Sequence, residues 1–431
     1  MTYQQFLSEI STYRKFGIRL GLGNIRRLMD VLGSPQKNLK IIHVAGTNGK
    51  GSVSNFLMTI LSAYGFKTGL FTSPHLCSVR ERFIINGNPV SREKISDVYR
   101  LVKKACEKIG KNRDFSPTYF EVMTAMAMVY FASEKADYVV LETGLGGRLD
   151  ATNIFPDVLC IITTIAKDHT EHLGDSITGI AYEKAAIIKR GSKVVVGNVP
   201  PAALKVIERT CKKLKVSHKG WGRDYKADLK GSALKGSTFD FKAGDLKIKN
   251  LELKKAIGAN QVENASVAIM GIKEILPLEE KYIRSVKRAF WPGRFEILRR
   301  KNSTIVIDCA HNPQGMMTFR QNLTLFGKKT KFALIFGVLK DKDYRKMIKE
   351  IPFERFNSVT AVVPPVPDRA LNAGILAGVL RKESGCVPVK EGESLEEAIK
   401  YYLSRKTNIA VAGSLFLAGE TRKILKLCPG I

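Results

Sequence analysis

The chain has 431 residues, 44% apolar and 26% charged, a composition that suits a globular protein with enough length for two domains. No apolar run reaches the roughly 18–20 residues needed to cross a bilayer, and the opening "MTYQQFLSEISTYRKFG" has no signal-peptide core, so a cytoplasmic protein without a membrane partner is expected. The net charge of +30 comes from Lys and Arg spread along the chain, as in "KKLKVSHKGWGRDYKADLKGSALKG" and "KDKDYRKMIKE"; without a clustered, aromatic-interleaved patch it points to an anionic small substrate and away from nucleic acid.

The segment through Leu39 has a helical pattern punctuated by "LGSP". Short apolar runs then alternate with helical periods: "LKIIHVA", "FKTGLFTS", "ADYVVLET", "DVLCIITTI" and "SKVVVG", with helices over 116–134 and 177–189. This alternation predicts a large, mostly parallel sheet with helices on both faces. Residues 222–256 are Gly- and Lys-rich with strand-like alternation, which predicts a small antiparallel excursion before helical pattern returns over 260–290. "FWPGRFEIL" at 290–298 marks a boundary. Beyond it "TIVIDCA", "KFALIFGV", "SVTAVVP" and "NIAVAG" are each followed by a helix. They predict a smaller, Rossmann-like α/β unit of about 130–140 residues. The expected domains are 1–295 and 296–431. Seven scattered cysteines with no C-x-x-C pair read as reduced thiols, mostly in cores.

The chemistry-bearing stretches leave strand ends. "HVAGTNGKGSV" (43–53) departs from G-x-x-x-x-G-K-[ST]: Val44 holds the first glycine position, and the hydroxyl comes one place late, at Ser52 after Gly51. Gly46–Ser52 still offers successive backbone N–H groups at a helix N-terminus, with Lys50 as a point charge for phosphate. In "LETGLGGRLDATN", Glu142 ends a strand where open α/β sheets bind ligands. A carboxylate there suits Mg²⁺, although a capping or ion-paired Glu has the same spelling. "TTIAKDHTEHLG" brings Asp168 and His169 together; His169 and His172 have a zinc-like spacing, but no further ligand joins them. Ser73 in "TSPHL" precedes proline and so leaves regular structure. Lys184 in "AYEKAAIIK" reads by spacing as a solvated helical lysine, and Asp308 in "DCAHNP" suits either a nucleotide or a turn.

Together "HVAGTNGKGSV", "SPHL", "TYFEVMTAMA", "ETGLGGRLDATN", "DHTEHLG", "EKAAIIK", "PGRFE", "DCAHNP" and "GSLFLAGE" resemble, in order and spacing, the folylpolyglutamate synthases and dihydrofolate synthases among the Mur-type ATP-dependent amide ligases. The resemblance runs from about residue 16 to 420. It implies that Gly49, Lys50, Gly51 and Ser52 hold the ATP phosphates, and that Asn264, Arg294 and Asp308 contact the nucleotide. Ser73, Glu142 and His169 would bind Mg²⁺, with two ions expected, and Lys184 would carry a carbamate. Thr118, Arg148 and Asp150 would lie at the pterin, and His311 and Ser414 at the glutamate. Ala186, Cys309 and Thr143 depart from the family's usual Gly, Gly and Val.

The implied reaction is ATP-dependent addition of L-glutamate to a pterin or folate carboxylate through an acyl phosphate, with Lys50, Glu142, His169 and Lys184 as the catalytic groups. "GLGGRLDATN" resembles enzymes that accept both dihydropteroate and tetrahydrofolate. The expected protein is thus a monomer handling small molecules. Two readings compete: a folylpolyglutamate synthase without dihydrofolate synthase activity, and a cell-wall peptide ligase. The early position of the phosphate loop, with no UDP-binding domain before it, counts against the second. A nucleic-acid-stimulated ATPase would need helicase-type motifs that the chain lacks.

Overall fold

The computed structural model describes every residue except 14–16, 18, 111–114, 169 and 429–431. Among the described residues the larger sheet has eight strands, in the order Asn88–Pro89, Phe83–Ile85, Thr68–Phe71, Tyr138–Glu142, Lys40–Ala45, Leu159–Ile162, Lys193–Val196 and His218–Gly220. The last six run parallel, and the first two form an antiparallel edge that the apolar runs did not announce. Tyr138–Glu142 and Leu159–Ile162 are buried along their whole length, as strands covered on both faces must be.

One face is covered by the helices Lys50–Ala63 and Ala259–Ile275 together with a three-stranded antiparallel sheet, Lys226–Ala233, Gly236–Ala243 and Leu246–Leu253. This is the excursion expected over 222–256. Tyr3–Thr12, Gly23–Val31, Arg92–Ile109 and Tyr119–Ser133 cover the other face, and Ile177–Ala185 and Pro201–Leu214 cover the far end. The helical pattern over 260–290 does not run through: the helix stops at Ile275, two residues before Pro277, because residues ahead of proline are driven out of the α region.

The smaller sheet starts with Glu296–Arg300, antiparallel to Ser303–Ile307. Ile409–Ala412, Phe332–Phe336, Phe356–Ala361 and Val389–Glu391 then follow in parallel. Helices Pro313–Leu323, Tyr344–Lys349 and Ala373–Glu383 pack on one face, and Leu395–Ser404 and Leu415–Ile424 on the other. The molecule therefore has two α/β domains.

The cysteine expectation needs one correction. Cys106, Cys160, Cys211 and Cys309 are buried free thiols, but Cys77 and Cys428 form a disulfide, their Cα atoms 6.0 Å apart. They lie 351 residues apart in sequence, so only the folded chain brings them within bonding range. No helix among the described residues is long and apolar enough to cross a membrane.

Candidate active site

The strand order of the larger sheet decides where chemistry can occur. From Lys40–Ala45 the chain crosses to one side, to Thr68–Phe71; from Tyr138–Glu142 it crosses to the other, to Leu159–Ile162. Crossovers that diverge leave a crevice at the carboxyl ends of the strands between them. Register sets Val44 beside Glu142 and Ala45 beside Ile162, so the loops after all three strands share that crevice. It opens into a cleft of about 960 Å³ whose far wall comes from the smaller domain.

The phosphate loop forms the floor. Its main chain is strapped to the neighbouring strand end: Thr47 N donates to Thr164 O at 2.7 Å and Asn48 N to Thr164 Oγ1 at 3.0 Å. Gly46 and Gly49 have φ of 154° and 87°, and a Cβ on them would lie 1.9 Å from Thr163 Oγ1 and 2.5 Å from Asn264 Oδ1. Glycine is required at both positions by conformation and by space. Gly49 gives the helix Lys50–Ala63 no side-chain cap, so its first N–H groups are free for an anion. Ser52 and Gly51 also line the cleft, the latter against Trp291. Lys50 Nζ donates to the carbonyls of Gly46 and Thr47 at 3.1 and 3.3 Å.

Two buried ionisable groups face this floor. Glu142 is 5% exposed and accepts a hydrogen bond from Ser73 N at 3.2 Å. Burial pushes its carboxyl above the ordinary range, against the pull of Lys50, the Ser73 N–H and Arg294. Lys184 is 4% exposed and donates to Gly46 O at 2.9 Å. Burial, helped by the neighbouring Lys50 charge, brings its ammonium down to about 7. The solvated lysine that helical spacing suggests is thus replaced by a desolvated amine on the cleft wall.

The far wall carries Asp308 and His311 of the smaller domain, with Arg294 beside them at the domain junction. Asp308 accepts from Phe295 N at 2.9 Å and from Ala310 N at 2.7 Å, and burial raises its carboxyl to about 6 against the pull of Arg294. His311 bonds through Nδ1 to Cys309 O at 2.8 Å, and its Nε2 lies 3.5 Å from Asp168 Oδ2. Asn264, Ser73 and Asp168 also line the cleft.

Four of the proposed substrate contacts are placed elsewhere. Thr118 is buried as the N-cap of Tyr119–Ser133, in a capping box with Glu121. Asp150 accepts from Gly144 N and Leu145 N on one oxygen and from Thr152 N and Oγ1 on the other, so it shapes the turn behind the cleft. Arg148 is exposed and paired with Glu183 at 2.9 Å. Ser414 caps Leu415–Ile424 and is 1% exposed, and the cleft wall is its neighbour Leu415. Short polar residues before helices and turns spend their oxygens on the backbone, and their spelling does not separate that use from ligand contact. His169 lies outside the described residues.

Other residues escaped the sequence reading. Lys342, within the stretch "KDKDYRKMIKE", has a side chain only 7% exposed and an ion pair to Asp168 at 2.6 Å. Asn48, Asn312 and Trp291 had a visible signal, since each lies inside a quoted motif.

Comparison with known proteins agrees with this architecture. Residues 44–271 match the Mur ligase middle domain, and residues 293–415 the Mur ligase, glutamate ligase domain. The chain is 33% identical over 435 residues to a dihydrofolate synthase/folylpolyglutamate synthase of Bacillus subtilis, with 98% of this chain and 99% of the relative covered. It is 34% identical to a folylpolyglutamate synthase of Lacticaseibacillus casei, 99% of each being covered. A Mycobacterium tuberculosis folylpolyglutamate synthase complexed with ADP superposes with a TM-score of 0.91 at 30% identity, over 98% of both chains.

Proposed function

From a chain that belongs to the Mur ligase family, among its dihydrofolate synthase/folylpolyglutamate synthase members, we infer an ATP-dependent ligase that joins L-glutamate to the carboxylate of a pterin or folate substrate. The observation that carries the reading is one cleft walled by both domains, with a phosphate loop, Glu142 and Lys184 on one side and Arg294, Asp308 and His311 on the other. We set the domain boundary at residues 295 and 296.

A carboxylate resists attack by an amine because resonance and negative charge both oppose it. Transfer of the ATP γ-phosphoryl group to the carboxylate oxygen gives an acyl phosphate; the glutamate amine then attacks the carbonyl carbon, and phosphate leaves. Such transfer needs positioning and charge neutralisation more than covalent help. We assign the phosphates to Gly49, Lys50, Gly51 and Ser52, and the rest of the nucleotide to Asn264, Arg294 and Asp308. The ADP complex of the Mycobacterium tuberculosis relative supports ATP as the donor.

Glu142 lines the cleft beside the phosphate loop, held by Ser73 N, and Ser73 lines the same cleft; a carboxylate and a hydroxyl there would suit Mg²⁺, and His169 is the third ligand we expect. When bound, Mg²⁺ supplies positive charge that neutralises the phosphates. Lys184 fits a carbamate, because an amine near 7 is in large part neutral at physiological pH and so able to add CO₂. His311, on the smaller domain's wall, is the group we assign to glutamate. Thr118, Arg148 and Asp150 then act by holding the pterin-side loops, and Ser414 by holding the helix beside Leu415.

Walls from both domains would keep water from the acyl phosphate once the substrates fill the cleft. Both walls come from one chain, which supports a monomer, and dispersed positive charge suits ATP and anionic folates better than nucleic acid. The Bacillus subtilis relative, named for both synthase activities, supports dual specificity; the Lacticaseibacillus casei relative favours folylpolyglutamate synthesis alone. ADP release with dihydropteroate, tetrahydrofolate or neither, each with and without glutamate, separates these readings. Turnover that needs neither folate nor glutamate would refute both.

A further inference from the structure

Asn48, inside the phosphate loop, donates through Nδ2 to Gln314 Oε1 at 2.7 Å and to Asn312 Oδ1 at 3.3 Å, and Asn312 Nδ2 returns a bond to Asn48 Oδ1 at 3.0 Å. Asn312 Nδ2 also donates to Asp168 Oδ2 at 3.2 Å, while Lys342 holds the other oxygen of Asp168. Asn48 and Asp168 follow strands of the larger sheet, whereas Asn312, Gln314 and Lys342 follow strands of the smaller one. The contacts therefore bridge the two domains at the mouth of the phosphate loop.

Three features set these contacts apart from ordinary interdomain polarity. First, Asn312 is 3% exposed, and the Asp168 and Lys342 side chains are 8% and 7% exposed, so each lost partner leaves a buried polar group. Second, the Asn48–Asn312 pair is reciprocal, so a shift of about 1 Å between domains stretches both bonds beyond hydrogen-bond range. Third, each asparagine is fixed from behind. The Asn48 carbonyl accepts from the Thr163 and Thr164 hydroxyls at 2.7 and 3.0 Å, and Asn312 Oδ1 caps the helix Pro313–Leu323 through Gly315 N at 2.8 Å. The residue before Asn312 is His311.

We propose that Asn48, Asn312 and Asp168 form a positioning latch that seats the smaller domain on the phosphate loop, so that His311 presents glutamate to the acyl phosphate only when that loop holds its nucleotide-binding shape. These residues act through others and touch no reacting atom. The proposal rests on the two-step reading above and assigns the latch to the second step, amide formation. The groups assigned to the transferring phosphoryl, the phosphate loop and Glu142, all belong to the larger domain, so phosphoryl transfer depends on the latch far less than amide formation does.

Asn312→Asp tests this directly. The carboxylate still accepts from Gly315 N, so the helix cap survives, but the donor serving Asn48 and Asp168 is gone and a second carboxylate faces Asp168. Acyl phosphate formation is measured in a single turnover with ATP, Mg²⁺ and folate without glutamate, and amide formation at steady state against glutamate. The first should stay within about threefold of the unsubstituted enzyme while kcat/KM for glutamate falls at least tenfold. Asn312→Asp combined with Asp168→Asn exchanges donor and acceptor and should recover at least threefold of the loss. Gln314→Leu, on an exposed side chain, should give a smaller loss in the same direction, and it decides the matter if Asn312→Asp does not fold. Unchanged glutamate kinetics, equal loss of both steps, or no recovery in the double variant overturns the latch. Absence of any acyl phosphate in the unsubstituted enzyme overturns the two-step reading itself, a result seen before any variant is made.

Discussion

Lys184 Nζ lies 2.9 Å from the carbonyl oxygen of Gly46, the residue that turns the chain into the phosphate loop. Lys50 Nζ approaches the same oxygen at 3.1 Å. Burial first, and then the neighbouring Lys50 charge, disfavours a second ammonium there, and Lys184 is the amine that gives way.

Lys184 therefore makes stability depend on pH. Its amine titrates near 10.5 when unfolded and near 7 when folded, so between those values the unfolded chain binds the extra proton. Stability should rise with pH across that window, and the cost of burying Lys184 should be greatest below pH 7. Lys184→Met should raise the melting temperature most at pH 7 and below, with the gain shrinking toward pH 10. The comparison is made without bicarbonate, by melting curves of both proteins across pH.

Carbamylation of that amine is the second expectation. Added bicarbonate should raise turnover, and Lys184→Ala should lose more than about 100-fold, partly restored by small carboxylates that refill the anionic position. Labelled bicarbonate should give a carbamate signal by NMR that is absent from Lys184→Ala. Full activity of Lys184→Ala without additives would end this reading.

Glu142→Gln should abolish ADP formation and leave the protein folded. The carboxylate is desolvated, so replacing it with a neutral isostere removes a buried charge and should not lower the melting temperature. Loss of the charge facing Mg²⁺ should cost about 3–4 kcal/mol or more of transition-state stabilisation. Near-normal turnover at saturating Mg²⁺ would rule out the role.

Asp150→Ala should act through the turn it holds. Removing a carboxylate that accepts from Gly144 N, Leu145 N and Thr152 leaves several donors unpaired, at a cost of roughly 2–4 kcal/mol. KM for the folate substrate should rise more than KM for glutamate, since Gly144–Gly146 line the cleft on the larger domain's side. Equal changes in both constants would argue against a local effect on the loop.

The disulfide between Cys77 and Cys428 ties the loop that carries Ser73 to the tail of the smaller domain. That loop already lies close to the same domain, since a Cβ on Gly419 would stand 2.3 Å from Leu76 O. Thiol titration of unfolded, unreduced protein should count five cysteines, matching the five free ones, and seven after reduction. Reduction should lower the melting temperature, because a long closed loop constrains the unfolded chain by a few kcal/mol. Seven thiols without reductant would show the bond absent in solution.

What the amino-acid order determined by itself was local or periodic. Alternating apolar runs specified two α/β units, because buried parallel strands and their covering helices each leave a pattern. "AGTNGKGS" specified the phosphate loop, because only glycine tolerates the backbone shape and close approach needed there. The ligase reading came from many such pieces in one order. The tertiary structure decided everything that depends on which strand ends are neighbours. Lys184 became a depressed, buried amine only because its helix packs behind Gly46. Asp150 and Thr118 became supports because their oxygens found backbone N–H groups first. Lys342, one charge among many in "KDKDYRKMIKE", became the partner of Asp168, and Cys77 met Cys428 across 351 residues. Burial and pairing energies arise between residues distant in sequence, and a one-dimensional pattern carries no record of which distant partner will be there.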